Sequence, residues 1–217
     1  MIDLEIDGKV YEMPQEWEDI NVSQFQQLFG VLNENESIKK NIKVFKIMTN
    51  NKISDEYINR MDVNQFNELL FKFDFLFDKP EIDVDKENPI NINDIDYFLI
   101  DLEEISLGEW ADLEFYISQA DGSIINKLPE LMSVLLRKKD EKYNGKISNK
   151  RIEEFKENAS GIVGLKFIDF FFHSEIKFMN HLMNSSVEKM TKKEREALQQ
   201  KTGGGLGIYM DYQENQS

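Results

Sequence analysis

The stretch Ile20-Asn21-Val22-Ser23-Gln24-Phe25-Gln26-Gln27-Leu28 decides how this chain folds, because its pattern occurs three times. It returns as Met61-Asp62-Val63-Asn64-Gln65-Phe66-Asn67-Glu68-Leu69 and as Ile105-Ser106-Leu107-Gly108-Glu109-Trp110-Ala111-Asp112-Leu113. In each copy a short polar residue (Asn21, Asp62, Ser106) is followed three positions later by Gln24, Gln65 or Glu109. That spacing is a capping box: the cap side chain accepts from the N3 amide, and the N3 side chain reaches back to the amide of the cap. An apolar residue precedes each cap (Ile20, Met61, Ile105) and an aromatic stands at N4 (Phe25, Phe66, Trp110), which is the pairing of a hydrophobic staple. Three helix starts are therefore specified locally.

Working outward, Ile2, Leu4 and Ile6 alternate with acids, Asp7-Gly8 offers a turn, and Val10 and Met13 continue the pattern, so residues 2–13 are expected to form a hairpin that Pro14 ends. The first stapled helix spans Val22 to Leu32. Ser37 caps a second, with Ile38, Ile42, Phe45 and Met48 on one face and Asn50-Asn51 at its close. Ser54 caps a further turn through Ile58. After Val63 the apolar positions Phe66, Leu69, Leu70, Phe73 and Phe77 predict a helix to Phe77, stopped by Lys79-Pro80. Phe71, Phe73, Phe75 and Phe77 also alternate, so an edge strand is the other reading.

Residues 81–102 change character: Glu81 to Asp85 alternates, Asn88-Pro89 turns, and Tyr97 to Ile100 is a compact strand. These segments are expected to join the N-terminal hairpin in one small sheet. The third stapled helix runs from Leu107 to a stop at Asp121-Gly122, and Pro129 opens another that continues through Leu136. Residues 137–150 read as an exposed charged loop. A helix near Arg151–Glu157 leads into a long apolar one from Ile162 to Met183, which Lys166, Asp169, Glu175 and Lys177 disqualify as a membrane span. Thr191 and Glu194 form a fourth box without a staple, and Gly203-Gly204-Gly205 ends that helix. The fold class expected is mainly α with a minor β element (α+β). Residues 1–80 carry the hairpin and first helices, 81–200 the strand-rich segment and a helical bundle on the same core, and 201–217 a flexible or docking tail.

The first two copies of the phrase lie 41 residues apart and the next two 44 apart, close to helical-repeat periods. A degenerate duplication, matching 2–32 with 82–120, and independent recurrence of a useful cap both remain open.

The chain carries a net charge of −15, which argues against nucleic acid and anionic membrane as partners. The absence of cysteine rules out disulfides, thiolate nucleophiles and Cys-zinc sites. The N-terminal alternation of apolar and acidic residues is unlike a signal peptide. His173 and His181 are eight residues apart on one helix, about 12 Å along its axis, too far to share a metal ion. Asp83, Asp85, Asp94 and Asp96 lack the spacing of a calcium loop. Gly203-Gly204-Gly205-Leu206-Gly207 lacks the strand before and helix after that a phosphate loop needs. The basic run 137–151 is broken by Asp140 and Glu141. No catalytic, metal or cofactor-binding residue is assigned.

Aromatic excess is the informative oddity, with sixteen phenylalanines in 217 residues. Phe170-Phe171-Phe172 points around a whole helix, and a helix apolar on all sides is central or covered by a partner. Phe170, Phe171 and Phe172, with Leu206, Ile208, Tyr209 and Tyr212 of the tail, are therefore the candidate interface.

At Trp17-Glu18-Asp19-Ile20-Asn21-Val22-Ser23-Gln24-Phe25 and at Glu104 to Glu114, the chain resembles small helical structural and assembly proteins of tailed bacteriophages. The group is that of Bacteroidetes phages, the crAss-like group included, and its Asn/Lys/Ile/Asp-rich composition is shared. The resemblance covers residues 1–180 and implies a non-enzymatic role in the virion or its morphogenesis. Such a role is that of a ring, adaptor, head–tail or tail component, or of a tail assembly chaperone, in the particle or the host cytoplasm. The implied partners are other phage structural proteins or further copies of this chain. From charge alone, an acidic inhibitor or DNA mimic that binds a basic host protein is the alternative.

Overall fold

The computed structural model describes residues 1–6, 8–78, 80–82 and 88–189, with residues 6 and 178–189 given by backbone alone. The chain divides into compact units at 1–172 and 173–217, and the packing described here is that of the first. It is mainly α with a minor β element. Strands β1 (Ile2–Ile6) and β2 (Lys9–Met13) precede helices α1 (Val22–Leu32), α2 (Ile38–Met48), α3 (Asp55–Arg60) and α4 (Val63–Leu70). A 3₁₀ segment at Phe71–Phe77 follows. Then come β3 (Ile90–Ile92), β4 (Ile95–Leu99), α5 (Leu107–Ser118), a 3₁₀ turn at Ile124–Lys127, α6 (Leu128–Leu135), β5 (Leu136–Lys138), α7 (Asn149–Asn158) and α8 (Gly161–Lys189).

Two of the boxes are complete. Asn21 Oδ1 accepts from the Gln24 amide at 2.8 Å and Gln24 Oε1 accepts from the Asn21 amide at 3.1 Å. Ser106 Oγ accepts from the Glu109 amide, and Glu109 Oε2 accepts from the Ser106 amide at 2.7 Å. Ser37 and Ser54 cap α2 and α3 through the amides of Lys40 and Tyr57. The second copy departs from the pattern: Asp62 Oδ1 accepts from the Asn64 amide, one position early, and Gln65 is exposed rather than folded back. Its staple aromatic Phe66 is nevertheless buried. Thr191 and Glu194 lie outside the described residues.

Three expectations are corrected. The helix from Val63 loses its α geometry at Leu70, and Phe73 (φ −102°, ψ 19°) is non-helical within the 3₁₀ segment. In this segment Phe73 and Leu76 are buried on one side and Phe77 is turned out, whereas 3.6 residues per turn would place Phe77, four positions on, over the face of Phe73. Next, β1–β2 and β3–β4–β5 are separate antiparallel sheets. Strand β4 has no edge left for the hairpin, because β3 takes one side and β5 the other. Finally, the chain leaves α6 one residue early: Leu136 is extended and pairs with Leu99. The β3–β4 connection is a two-residue turn whose central residues Asn93 and Asp94 both have positive φ (53° and 61°). That is the type I′ geometry which suits the right-handed twist of a hairpin.

The core is aromatic. Phe45 meets Phe66 edge-on at 5.5 Å, Trp17 meets Phe25 and Phe75 at 6.0 and 5.7 Å, and Tyr97 meets Phe155 at 4.9 Å. Its centre is a backbone clamp between the starts of α1 and α8. The Val22 amide donates to Ala159 O at 2.9 Å, while the Gly161 and Ile162 amides donate to Ile20 O and Trp17 O at 2.7 and 3.2 Å. First-turn amides have no partner inside their own helix, and here each helix start supplies the other. The approach leaves no room for a side chain. A Cβ on Gly161 would lie 2.7 Å from Ile20 Cγ1 and 2.9 Å from Trp17 O. Gly161→Ala is expected to cost about 1–3 kcal/mol, as overpacking does, read as a lower urea midpoint at an unchanged slope.

Candidate functional site

Two surface features stand out among the described residues, one apolar and one cationic. The apolar one is made by the 3₁₀ segment. Phe73 and Leu76 point inward, which turns Phe71 and Phe77 outward at 69% and 77% exposed. Between them and α1–α2 lies a groove of about 400 Å³, walled by Leu32, Val44, Leu70, Phe71 and Phe77. Glu36 and Asp74 lie at the groove, and Lys40 pairs with Glu36 at 2.5 Å with its stem buried. The outward pair follows from the kink at Phe73. A continuous α-helix would have put Phe77 on the face of Phe66, Leu70 and Phe73.

The cationic feature is the segment 137–151, which is pinned rather than loose. Arg137, on β5 opposite Phe98, forms an ion pair with Glu109 of α5. Glu109 is 2% exposed and has divided its carboxylate: Oε2 closes the box with Ser106, and Oε1 holds the guanidinium. Burial pushes the Arg137 guanidinium down from its ordinary pKa, with the Glu141 carboxylate opposing. Glu141 binds the Lys138 amide at 3.0 Å and pairs with Arg151. Burial raises its pKa, but these contacts together outweigh that and leave it below the usual carboxylate range. Tyr143 Oη donates to Asp112 Oδ2 at 2.6 Å, and its ring sits so near Gly108 that a Cβ there would lie 2.8 Å from Cε1.

Under this segment is a polar cavity of about 270 Å³. Arg137, Lys138, Lys142, Lys146, Lys150 and Arg151 line it, against Glu141 and Glu154. Fully buried Tyr97 forms one wall, with Lys138 Nζ and Arg151 Cζ at 5.8 and 5.9 Å from its ring centre and its hydroxyl 3.5 Å from Glu154 Oε1. The reading of 137–150 as an exposed charged loop holds for most of its residues, with 137–138 taken into β5 and 149–150 into α7, and the loop is tied down by Glu109, Asp112 and Arg151. A signal was present in the sequence: cations at 137, 138, 142, 146, 150 and 151 in a chain of net charge −15.

Of the sequence-derived interface residues, Phe170 and Phe171 are 2% and 3% exposed and belong to the core, whereas Phe172 is 47% exposed. Within unit 1, Phe171 stacks on Phe167 at 6.2 Å. Leu206, Ile208, Tyr209 and Tyr212 lie outside the described residues. His173 is exposed, and Asp96 accepts a hydrogen bond from Asn91 at 2.9 Å. No group of three metal-ligating side chains converges among the described residues, and none of the described helices is long and apolar enough to cross a membrane. No family model, curated protein or solved structure matches this chain.

Two outcomes follow from the geometry. Glu109→Gln keeps a side chain able to close the box, as Gln24 does, but leaves Arg137 buried without a counter-charge. The expected loss is on the order of 3 kcal/mol, measured by urea unfolding, and a Glu109→Gln protein of full stability would remove the ion pair from the account. The Asp112 hydrogen bond, helped by burial, pushes the Tyr143 hydroxyl up to about 12. Its neutral form is favoured in the folded state, so this stabilisation is complete below an unfolded value of about 10. It is then lost as pH rises through about 12. Tyr143→Phe should flatten the alkaline stability profile in that window, and ultraviolet titration of wild type should show a late-ionising tyrosine that Asp112→Asn restores toward normal.

Proposed function

We propose that the chain is a non-enzymatic component of a tailed-phage particle or of its assembly, acting by protein–protein binding. The observation that carries this reading is the apolar groove edged by Phe71 and Phe77. Burying a phenylalanine side chain contributes about 1.5–3 kcal/mol, and large exposed aromatics around a concave apolar surface mark interaction sites. The sequence likeness at residues 17–25 and 104–114 supplies the setting: ring, adaptor, head–tail or tail component, with other phage structural proteins or further copies of this chain as partners. The acidic surface elsewhere would discourage unspecific association.

The test is absolute mass in solution by light scattering behind a sizing column, for wild type and for the Phe71→Ser/Phe77→Ser double variant. A discrete ring-sized oligomer that the double variant weakens by about 100-fold in concentration, with helix content unchanged, supports a structural subunit. A monomer or dimer favours the assembly-chaperone form of the same reading, and the groove then has to bind a particle protein. A double variant that assembles and binds like wild type sinks the groove as the binding surface.

A further inference from the structure

The cavity under residues 137–151 is not used by the reading above, and its electrostatics are opposite to those of the rest of the molecule. The segment holds seven basic residues and two acidic ones, a local charge of +5, so the remainder of the −15 chain carries −20. Its internal pairings are accounted for: Arg137 is neutralised by Glu109, and Arg151 by Glu141. Lys142, Lys146 and Lys150 line the same cavity and make no ion pair among the described residues, nor does Lys138, whose ammonium lies over the Tyr97 ring; Glu154, which accepts from the Tyr97 hydroxyl, is the carboxylate set against them. These lysines are exposed, so each retains its hydration and its charge while converging on one concave space. Like charges held together cost free energy unless a counter-charge joins them.

The backbone adds to this. Helix α7 begins at the cavity with Ser148, whose hydroxyl makes no capping bond. The Arg151 and Ile152 amides turn back to Ser148 O, which leaves those of Asn149 and Lys150 without an acceptor among the described residues. An uncapped helix start is a donor site for anions, here beside the lysines at 142, 146 and 150 that line the same cavity.

We propose that this cavity binds a compact multivalent phosphate, of the di- or triphosphate class, free or carried on a small molecule. Ammonium groups suit phosphate as mobile point charges, and the cavity of about 270 Å³ admits a short phosphate chain. A nucleic-acid strand fits the surroundings less well. Of the two rings in the cavity wall, Tyr97 already has Lys138 and Arg151 over it, and Tyr143 is fixed with its edge against Gly108 and its hydroxyl on Asp112, so neither can swing onto a base. Beyond the cavity, a long polyanion would meet the acidic remainder of the chain, whereas a compact one is screened from it within about 8 Å at physiological salt.

Calorimetric titration of the full chain with sodium triphosphate tests this, with a decaglutamate peptide and a thymidine oligonucleotide as competing probes. Saturable one-to-one binding of triphosphate is expected, weakening as salt rises. In Lys142→Gln/Lys146→Gln/Lys150→Gln it should fall by more than about tenfold, since charge-assisted hydrogen bonds are lost. Lys39→Gln/Lys72→Gln, which removes two exposed lysines elsewhere, should leave it unchanged. Circular dichroism checks that the triple variant is folded, and Lys146→Gln alone serves if it is not. Absence of saturable binding, or equal binding by the triple variant, overturns the proposal. So does tighter binding of decaglutamate through the same lysines, which would make the site one for an acidic protein segment. Tighter oligonucleotide binding through them would likewise overturn the compact ligand in favour of a strand. The assembly state of the triple variant, measured alongside, separates these outcomes from any failure of the groove.

Discussion

The clamp between residues 17–22 and 159–162 is the constraint on which the rest of the first unit depends. A helix start exposes amides that its own backbone cannot satisfy, and two such starts meet here and exchange them. The exchange joins positions 137 and 141 residues apart in sequence, 22 with 159 and 20 with 161. It also explains why Ile20 is buried and why Gly161 cannot be larger. Trp17 extends the arrangement, since its carbonyl enters the clamp while its ring packs on Phe25 and on Phe75 of the 3₁₀ segment. The aromatic groove is thereby tied to the centre of the core.

The completed capping boxes share a property that the incomplete one lacks. In α1 the N3 side chain is buried, and its far end, Gln24 Nε2, donates to Ile47 O at 3.1 Å, so the box also fastens α1 to the end of α2. In α5 the second oxygen of Glu109 holds Arg137. Gln65 has no such task and stays in solvent. The reciprocal bond of a box is modest by itself, a hydrogen bond contributing about 1 kcal/mol net. A tertiary partner that already immobilises the side chain removes the entropy that the box would otherwise cost.

Charge is distributed with the same economy. Glu109, Glu141 and Asp112 spend their carboxylates on holding residues 137–151 against α5 and α7. A buried pair such as Glu109–Arg137 adds little net stability over an apolar substitute but penalises any arrangement that separates it. Its effect is to fix where β5 ends and where the following lysines converge. The two surface features therefore differ in origin. One comes from a helix that changes pitch, and the other from ion pairs that shape a loop.

Local chemistry was legible in the sequence. Caps at Asn21, Ser37, Ser54 and Ser106, the span of α1, the starts of α4 and α5, and the hairpin at 2–13 all follow from neighbours within a few residues, and the mainly α class with a minor β element follows from them. What depended on distant partners was not legible. The end of α4 at Leu70 comes with a change of pitch that keeps Phe73 and Leu76 inside and turns Phe77 out. The exit from α6 at Leu136 was settled by the free edge of β4. Phe170 and Phe171 looked like an interface because a helical run apolar all round has no single outward face, and the fold surrounds both and leaves Phe172 outside. That the exposed basic run at 137–151 is tied down was not legible, since two of its fixing residues, Glu109 and Asp112, stand some thirty positions earlier. A sequence states the period and the caps of its helices directly, because those interactions act between neighbours; which faces meet is a property of the folded chain, where long-range burial outweighs local preference.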